Sequence, residues 1–324
     1  MRHSQRRLTK PTDPFEFSWK VPAQGHRLVR ARLLGAHRDA NHQRRRRRSA
    51  TRTGEGLLDD ADRPVLCLTD GVESGQPVGR VRRYKPLATR FMGLFLEFAA
   101  TPRTEAGILA FANRNGSLFG REAEFVVPTT SITGAPVHGE ALGLWDAEIS
   151  AMEEAVELKR RVEERERAAL GRLIKWRRQG QETEVVYERR AGDSRRFARI
   201  ASTTLWKDDI FDRLRPNDVE KAARFYLQRI INDHLRGRIS PALLWDPHGI
   251  DLHTHVVPHN LIGALWLQLA RAVDADSDYR HCPGCQRWFR VSVEAKRSDS
   301  VTCSATCRTR MYRRRLRDRR RLRQ

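Results

Sequence analysis

Four of the five cysteines in this chain lie within 26 residues of one another, as Cys282-Pro-Gly-Cys285 and Cys303-Ser-Ala-Thr-Cys307 with 17 residues between the pairs. A shared metal ion would force each pair to turn both sulfurs toward one point, and zinc asks for four soft ligands at tetrahedral corners about 2.3 Å away. Pro283 and Gly284 permit the tight turn that does this in the first pair. In the second pair, Ser304 is placed to cap a helix carrying Cys307 in its first turn, where the amide end favours a thiolate. The expectation is one structural zinc on Cys282, Cys285, Cys303 and Cys307, in a knuckle followed by a helix-borne pair, which is the arrangement of a treble-clef finger. Four thiolates close the coordination shell and leave no position for water or substrate. A module this small needs its ion to fold. Trp288 and Phe289 are expected to pack against Val301, Met311 and Tyr312 as its miniature core.

The segment after Cys307 is almost entirely cationic. Arg308, Arg310, Arg313, Arg314, Arg315, Arg317, Arg319, Arg320, Arg321 and Arg323 surround a thin apolar stripe of Met311, Tyr312, Leu316 and Leu322. A free helix of that charge repels itself, whereas a phosphate backbone neutralises it with release of counterions. These ten arginines are therefore the candidate nucleic-acid contacts, with DNA ahead of RNA as the partner. The net charge of +22 is also unevenly placed. Residues 1–56 carry 15 Lys/Arg against 4 Asp/Glu and residues 281–324 carry 14 against 3, while the stretch between is balanced. A polyanionic partner rewards such segregation. Docking onto an acidic protein is the competing use, which would make the chain a protein-protein adapter with a structural zinc.

Cys282-Pro-Gly-Cys285-Gln-Arg-Trp-Phe289, with Cys303-Ser304 and Cys307-Arg-Thr-Arg, resembles the C-terminal zinc finger of the bacterial CGNR-type family. That resemblance covers about 40 residues and implies a zinc-binding, DNA-binding role of the kind associated with transcriptional regulators. Arg308-Thr309-Arg310 stands where the family has Gly-Asn-Arg. Separately, Leu96-Glu-Phe98 with Ile108-Leu-Ala-Phe-Ala-Asn-Arg114-Asn-Gly116 is similar to a motif in uncharacterised bacterial proteins ending in the same kind of finger, a likeness that implies no activity.

The rest divides into a basic, disordered block over 1–56 and a mostly helical α+β body over 57–275, ahead of the finger at 281–324. Thr101-Pro102 predicts the start of a helix that Gly116 stops. Trp145, Ile149, Met152 and Val156, then Val162, Ala169, Leu173 and Trp176, predict one long helix over 140–178 with a charged middle. Residues 182–190 alternate as a strand, with Val186 on one face and Val185 and Tyr187 on the other. Asn217 and Glu220 open a further helix that ends at Gly237, and Pro258 leads into an apolar helix through Leu261, Ile262, Leu265, Leu267, Leu269 and Val273 that should be central. Cys67, in an apolar run, reads as a buried small hydrophobe.

No stretch approaches the roughly 20 apolar residues of a membrane span, and the start lacks the apolar core of a secretory signal. The chain is read as cytoplasmic, with no membrane association. His248, His253, His255 and His259, with Asp246 and Asp251, approach the apolar helix, and a His-x-His pair on a strand can share a metal. That would make His253 and His255 the centre of a metal-dependent hydrolase, the weaker alternative because no glutamate base or further spaced ligand set accompanies them. Asn113-Arg114-Asn115 is explained more simply as a helix end than as a polar site. No phosphate loop or nucleophile elbow is present.

Overall fold

A computed structural model describes residues 17–23, 25–33, 65–70, 81–88, 91–120, 123–128, 137–179, 182–190, 193–201, 218–245, 251–274, 278–285, 288–291 and 301–321. Contacts divide the chain into two units, each discontinuous in sequence. The first takes Met1–Met92, Leu109–Ala141 and Gly237–Ala264, and the second takes Gly93–Ile108, Leu142–Arg236 and Leu265–Gln324. Helix and strand are mixed in both, as an α+β reading requires. Among the described residues no helix is long and apolar enough to cross a membrane.

In the first unit, β2 (His26–Leu33), β3 (Val65–Asp70), β5 (Glu124–Pro128) and β6 (Val137–Ala141) close into a barrel of antiparallel neighbours in the order β2-β3-β6-β5. Four strands enclose a narrow bore, so its lining is small: Ala31 and Cys67 are fully buried, with Val29 and Ala141 against them. Cys67 is thus the buried small residue expected. Beside the barrel, β1 (Trp19–Pro22) pairs with β4 (Val81–Tyr84). The end of the helix α2 (Glu105–Asn115) pins β4 and the start of β2. Asn113 Oδ1 accepts from the His26 amide at 2.5 Å, Tyr84 OH donates to the Asn115 carbonyl at 2.7 Å, and Arg82 donates to the Arg114 carbonyl. The Asn113-Arg114-Asn115 run is therefore a structural clasp. Gly116 stops the helix at φ +95°, and a Cβ there would stand 2.7 Å from the Trp19 indole nitrogen. The carboxylate of Glu140, buried on β6, accepts from the amides of Leu118, Phe119 and Gly120 at 2.9, 2.6 and 3.1 Å. A hairpin of β10 (Ile239–Trp245) and β11 (Leu252–Pro258) completes the described part of this unit. Leu243, Trp245, Leu252 and Val256 share one of its faces and are exposed.

The second unit holds α1 (Leu94–Ala99), α3 (Leu142–Glu163), α4 (Arg167–Leu173), α5 (Val219–Leu235), most of α6 (Leu261–Asp274) and α7 (Ala305–Arg321). A three-stranded sheet of β7 (Ile174–Gln179), β8 (Glu182–Arg190) and β9 (Asp193–Ala201) and the pair β12 (Asp278–His281) and β13 (Trp288–Val291) accompany them. Trp145, Ile149, Met152 and Leu158 of α3, Phe95 and Phe98 of α1, and Leu265, Trp266 and Leu269 of α6 form its core, all at 1% exposure or less. The apolar character of α6 is thus explained by near-complete burial. Its first turn is capped by Asn260, whose Oδ1 accepts from the Gly263 amide at 2.8 Å, while Pro258 still belongs to β11.

Other sequence expectations shift as well. Within the block over 1–56 read as disordered, Trp19–Pro22 and His26–Leu33 form the strands β1 and β2, held by pairing with β4, β3 and β5. The single helix over 140–178 is broken: α3 ends at Glu163, Arg165 takes a left-handed φ of 55°, and Trp176 lies in β7. The charged middle buries only Val162, and Arg160 gathers Glu157, Glu164 and Glu166 across the break. Helix α2 starts at Glu105 rather than at Thr101, because Thr104 accepts from the Gly107 amide at 3.2 Å while the Thr101 hydroxyl donates to the Glu97 carbonyl and closes α1. Asp218, one residue after Asn217, caps α5 by accepting from the Lys221 amide at 3.1 Å. The strand at Glu182–Arg190 is present and runs in unbroken register with β7, so Val185 and Tyr187 share a face opposite Val186 as the alternation requires. All three are buried because both faces are covered, and the register shift opposite Val185 and Val186 adds its extra residue to β9.

Candidate metal centre and nucleic-acid interface

The C-x2-C pair sits on the turn between β12 and β13, where His281 pairs with Trp288 across the strands. The C-x3-C pair straddles the start of α7. Ser304 precedes that helix and its Oγ accepts from the Cys307 amide at 3.2 Å, while its carbonyl accepts from the Arg308 amide at 3.1 Å. Gly284 allows the two halves to meet, since a Cβ there would press on the Cβ and carbonyl oxygen of Cys307 at 3.1 Å.

The one metal-capable cluster among the described residues is Cys282, Cys285, Cys303 and Cys307, whose sulfurs all lie within 4.8 Å of one another. Cys285 and Cys303 are 3.5 Å apart at sulfur, and Cys303 and Cys307 3.6 Å. Four sulfurs about 2.3 Å from a common centre would be separated by roughly 3.8 Å, so the spacing fits a tetrahedral ion. The electrostatics agree. Burial opposes ionisation of Cys282, but the amides of Cys303, Gly284 and Cys285 aimed at its sulfur outweigh it and bring the thiol down to about 6. Cys303 moves the other way, because burial and then the sulfurs of Cys285, Cys307 and Cys282 push its thiol up. Four thiolates this close coexist only around a cation.

The miniature core differs from the expectation. Phe289 and Val291 pack with Cys282 and Cys307, with Cys285 and Cys303 against them. Val301 is 64% exposed and Tyr312 63%, so neither is core. Trp288 faces the unit instead: a Cβ on Gly93 would stand 2.4 Å from the Trp288 Cβ, so the backbone just before α1 lies directly on this residue. Tyr279 of β12 adds an edge-to-face contact with Phe95, ring centroids 5.3 Å apart. The cysteine module thus meets the α1 end of the same unit by one contact to the Trp288 main chain and Cβ and one aromatic contact. Their sequence signal, a glycine before an apolar run, is too common to have identified them.

Beyond Cys307, Arg308, Arg310, Arg313 and Arg314 are exposed on α7 and Met311 is half-buried. The backbone of Arg315, Arg317, Arg319, Arg320 and Arg321 continues the helix, and Arg323 lies outside the described residues. On β11, His253 and His255 do share a face, with ring centroids 6.4 Å apart. No third metal-ligating side chain joins them among the described residues, and His259 is occupied with Ser240 at 2.9 Å. His248 and Asp246 lie outside the described residues.

Sequence reasoning also missed a buried polar cluster in the second unit. Glu148 accepts from the Trp266 indole at 3.2 Å and lies 3.2 Å from His234 Nδ1, while the His234 ring stacks on Trp266 at 4.1 Å. Glu154 accepts from Tyr226 OH at 2.8 Å, and Tyr226 stacks on Tyr187. Glu148 lies three residues after Trp145 and four before Met152, and Glu154 four before Leu158, so the helical period does place them toward the buried side. What the sequence does not signal is their partners, which come from α5 and α6.

No family model matches this chain, and no curated protein and no solved structure is significantly similar to it.

Proposed function

We propose that this chain is a zinc-finger nucleic-acid-binding protein, with zinc on Cys282, Cys285, Cys303 and Cys307 in a treble-clef module, acting inside a bacterial cell as a transcriptional regulator. The observation that carries the reading is the joint between the two halves of the module. The same helix that supplies Cys307 to the metal cluster presents Arg308, Arg310, Arg313 and Arg314 to solvent over the two turns that follow. A metal that fixes the start of α7 fixes the direction of its cationic face, which supports a role in positioning on phosphates.

The adapter reading draws on a separate feature, the exposed apolar face of the β10–β11 hairpin at Leu243, Trp245 and Leu252. One experiment separates the two. Full-length protein is assayed for zinc by elemental analysis and for binding to labelled duplex DNA and RNA as salt is raised, beside a variant lacking 308–324. Stoichiometric zinc and an affinity lost on deletion support the nucleic-acid reading. Unchanged affinity in the deletion moves the assignment to the adapter.

A further inference from the structure

Helix α7 advances about 100° per residue, which orders its described side chains around the axis. Cys307 and Met311 mark the inward direction, buried and half-buried in turn. Around the opposite arc come Arg308, Tyr312, Thr309, Arg313 and Arg310, all exposed, with Ala305 and Thr306 one turn earlier. Tyr312 is 63% exposed, and the Thr309 hydroxyl bonds back to the Ala305 carbonyl at 3.1 Å, which turns it toward its own backbone. The centre of the outward face is therefore a phenol and a threonine, bracketed by arginine on both sides. A uniformly cationic face would serve phosphate alone; this one has a middle suited to something other than charge.

We propose that this face enters the major groove of duplex DNA, with Tyr312 and Thr309 meeting base edges and Arg308 on one flank and Arg310 and Arg313 on the other reaching the two phosphate walls. The proposal rests on the nucleic-acid reading above and assigns its substrate and its specificity residues. Groove dimensions favour it. A helix of about 10–12 Å diameter fits the B-form major groove, about 12 Å wide, whereas the A-form RNA major groove is too narrow to be read. The +11 net charge of residues 281–324 matches the groove's flanking phosphates. Tyr312 is the one exposed aromatic on the described part of this helix, while single-strand binders use several aromatics to stack successive bases.

The test is selection of bound sequences from a randomised duplex library by the zinc-loaded full-length protein, followed by affinity measurements on the selected duplex, an unrelated duplex, the same sequence as single strand, and duplex RNA. Tyr312→Phe, Tyr312→Ala and Thr309→Ala are exposed changes, and retained zinc stoichiometry verifies their fold. The expected result is an enriched site bound about tenfold or more tighter than unrelated duplex, a preference that Tyr312→Ala and Thr309→Ala flatten without changing the salt slope. Arg308→Gln and Arg313→Gln should weaken all duplexes alike and each lower the salt slope by about one. Equal or tighter binding to single strand or to duplex RNA, or an enriched site indifferent to both Tyr312 and Thr309, overturns this inference while leaving the nucleic-acid reading in place. No polyanion binding at all overturns that reading itself.

Discussion

Ser304 acts twice at the start of α7, its hydroxyl holding the Cys307 amide and its carbonyl the Arg308 amide. Replacing it with alanine removes only the first contact. Ser304→Ala should cost about 1 kcal/mol of stability and speed the transfer of metal to a competing chelator, whereas Ser304→Asp should retain both properties. Acid attacks the same site by another route, since thiolates must stay deprotonated to hold an ion. Metal retention should therefore fall as pH is lowered through the weakly acidic range, with protons taken up as the ion leaves. Chelator competition at several pH values measures this. In the buried polar cluster the sensitive atom is the Tyr226 hydroxyl, which donates to the Glu154 carboxylate. Tyr226→Phe should cost about 1.5–3 kcal/mol in urea unfolding, the range for a hydrogen bond to a charged group. At this scale the sequence was legible where chemistry is local: the sulfur spacing and the Ser304 cap follow from residues a few positions apart. Tyr312 was misplaced because its apolar ring suits a core as well as a surface, and only the packing of Phe289 and Val291 decides.

Elements were legible where one face is buried by a regular period, as in α5, or where nearly the whole circumference is apolar and buried, as in α6. They were misread where the period continues but the geometry does not. Val162, Ala169, Leu173 and Trp176 fit a helical repeat, yet Arg165 turns left-handed between them and Trp176 belongs to a strand. Periodicity alone does not tell a helix from two elements that happen to share a phase. Register with β8, a long-range pairing, is what makes β7 a strand. The approach of the residue before α1 to β13 is equally long-range and equally testable. Gly93→Ala places a methyl against the Trp288 backbone and Cβ, and overpacking of this kind costs about 1–3 kcal/mol. The expected outcome is a lower urea midpoint together with weaker metal retention, although no cysteine has been touched. A change confined to the unfolding midpoint would show that the module holds its ion without this support.

For the molecule as a whole, charge and contact are organised differently. Positive excess collects at residues 1–56 and 281–324, while contacts group segments far apart in sequence. Charge segregation was readable because it is a sum along the chain; the grouping of segments was not, because it depends on which surfaces meet. If the cationic helix grips phosphate, log affinity should fall linearly with log salt at a slope of about −0.9 per phosphate neutralised. Removing 308–324 should flatten that slope, as measured by fluorescence anisotropy on one duplex across a salt series.

The interleaving of the two units bears on how the protein is made. Neither core is complete when its first segment leaves the ribosome: the barrel unit waits for 237–264, and the helical unit for the strands and helix beyond 265. A nascent chain halted after α5 has yet to receive Leu265, Trp266 and Leu269, side chains that end fully buried. Translation must therefore pass Ala264 before either half can shut, and arrested chains of increasing length should stay sensitive to protease until α6 has emerged.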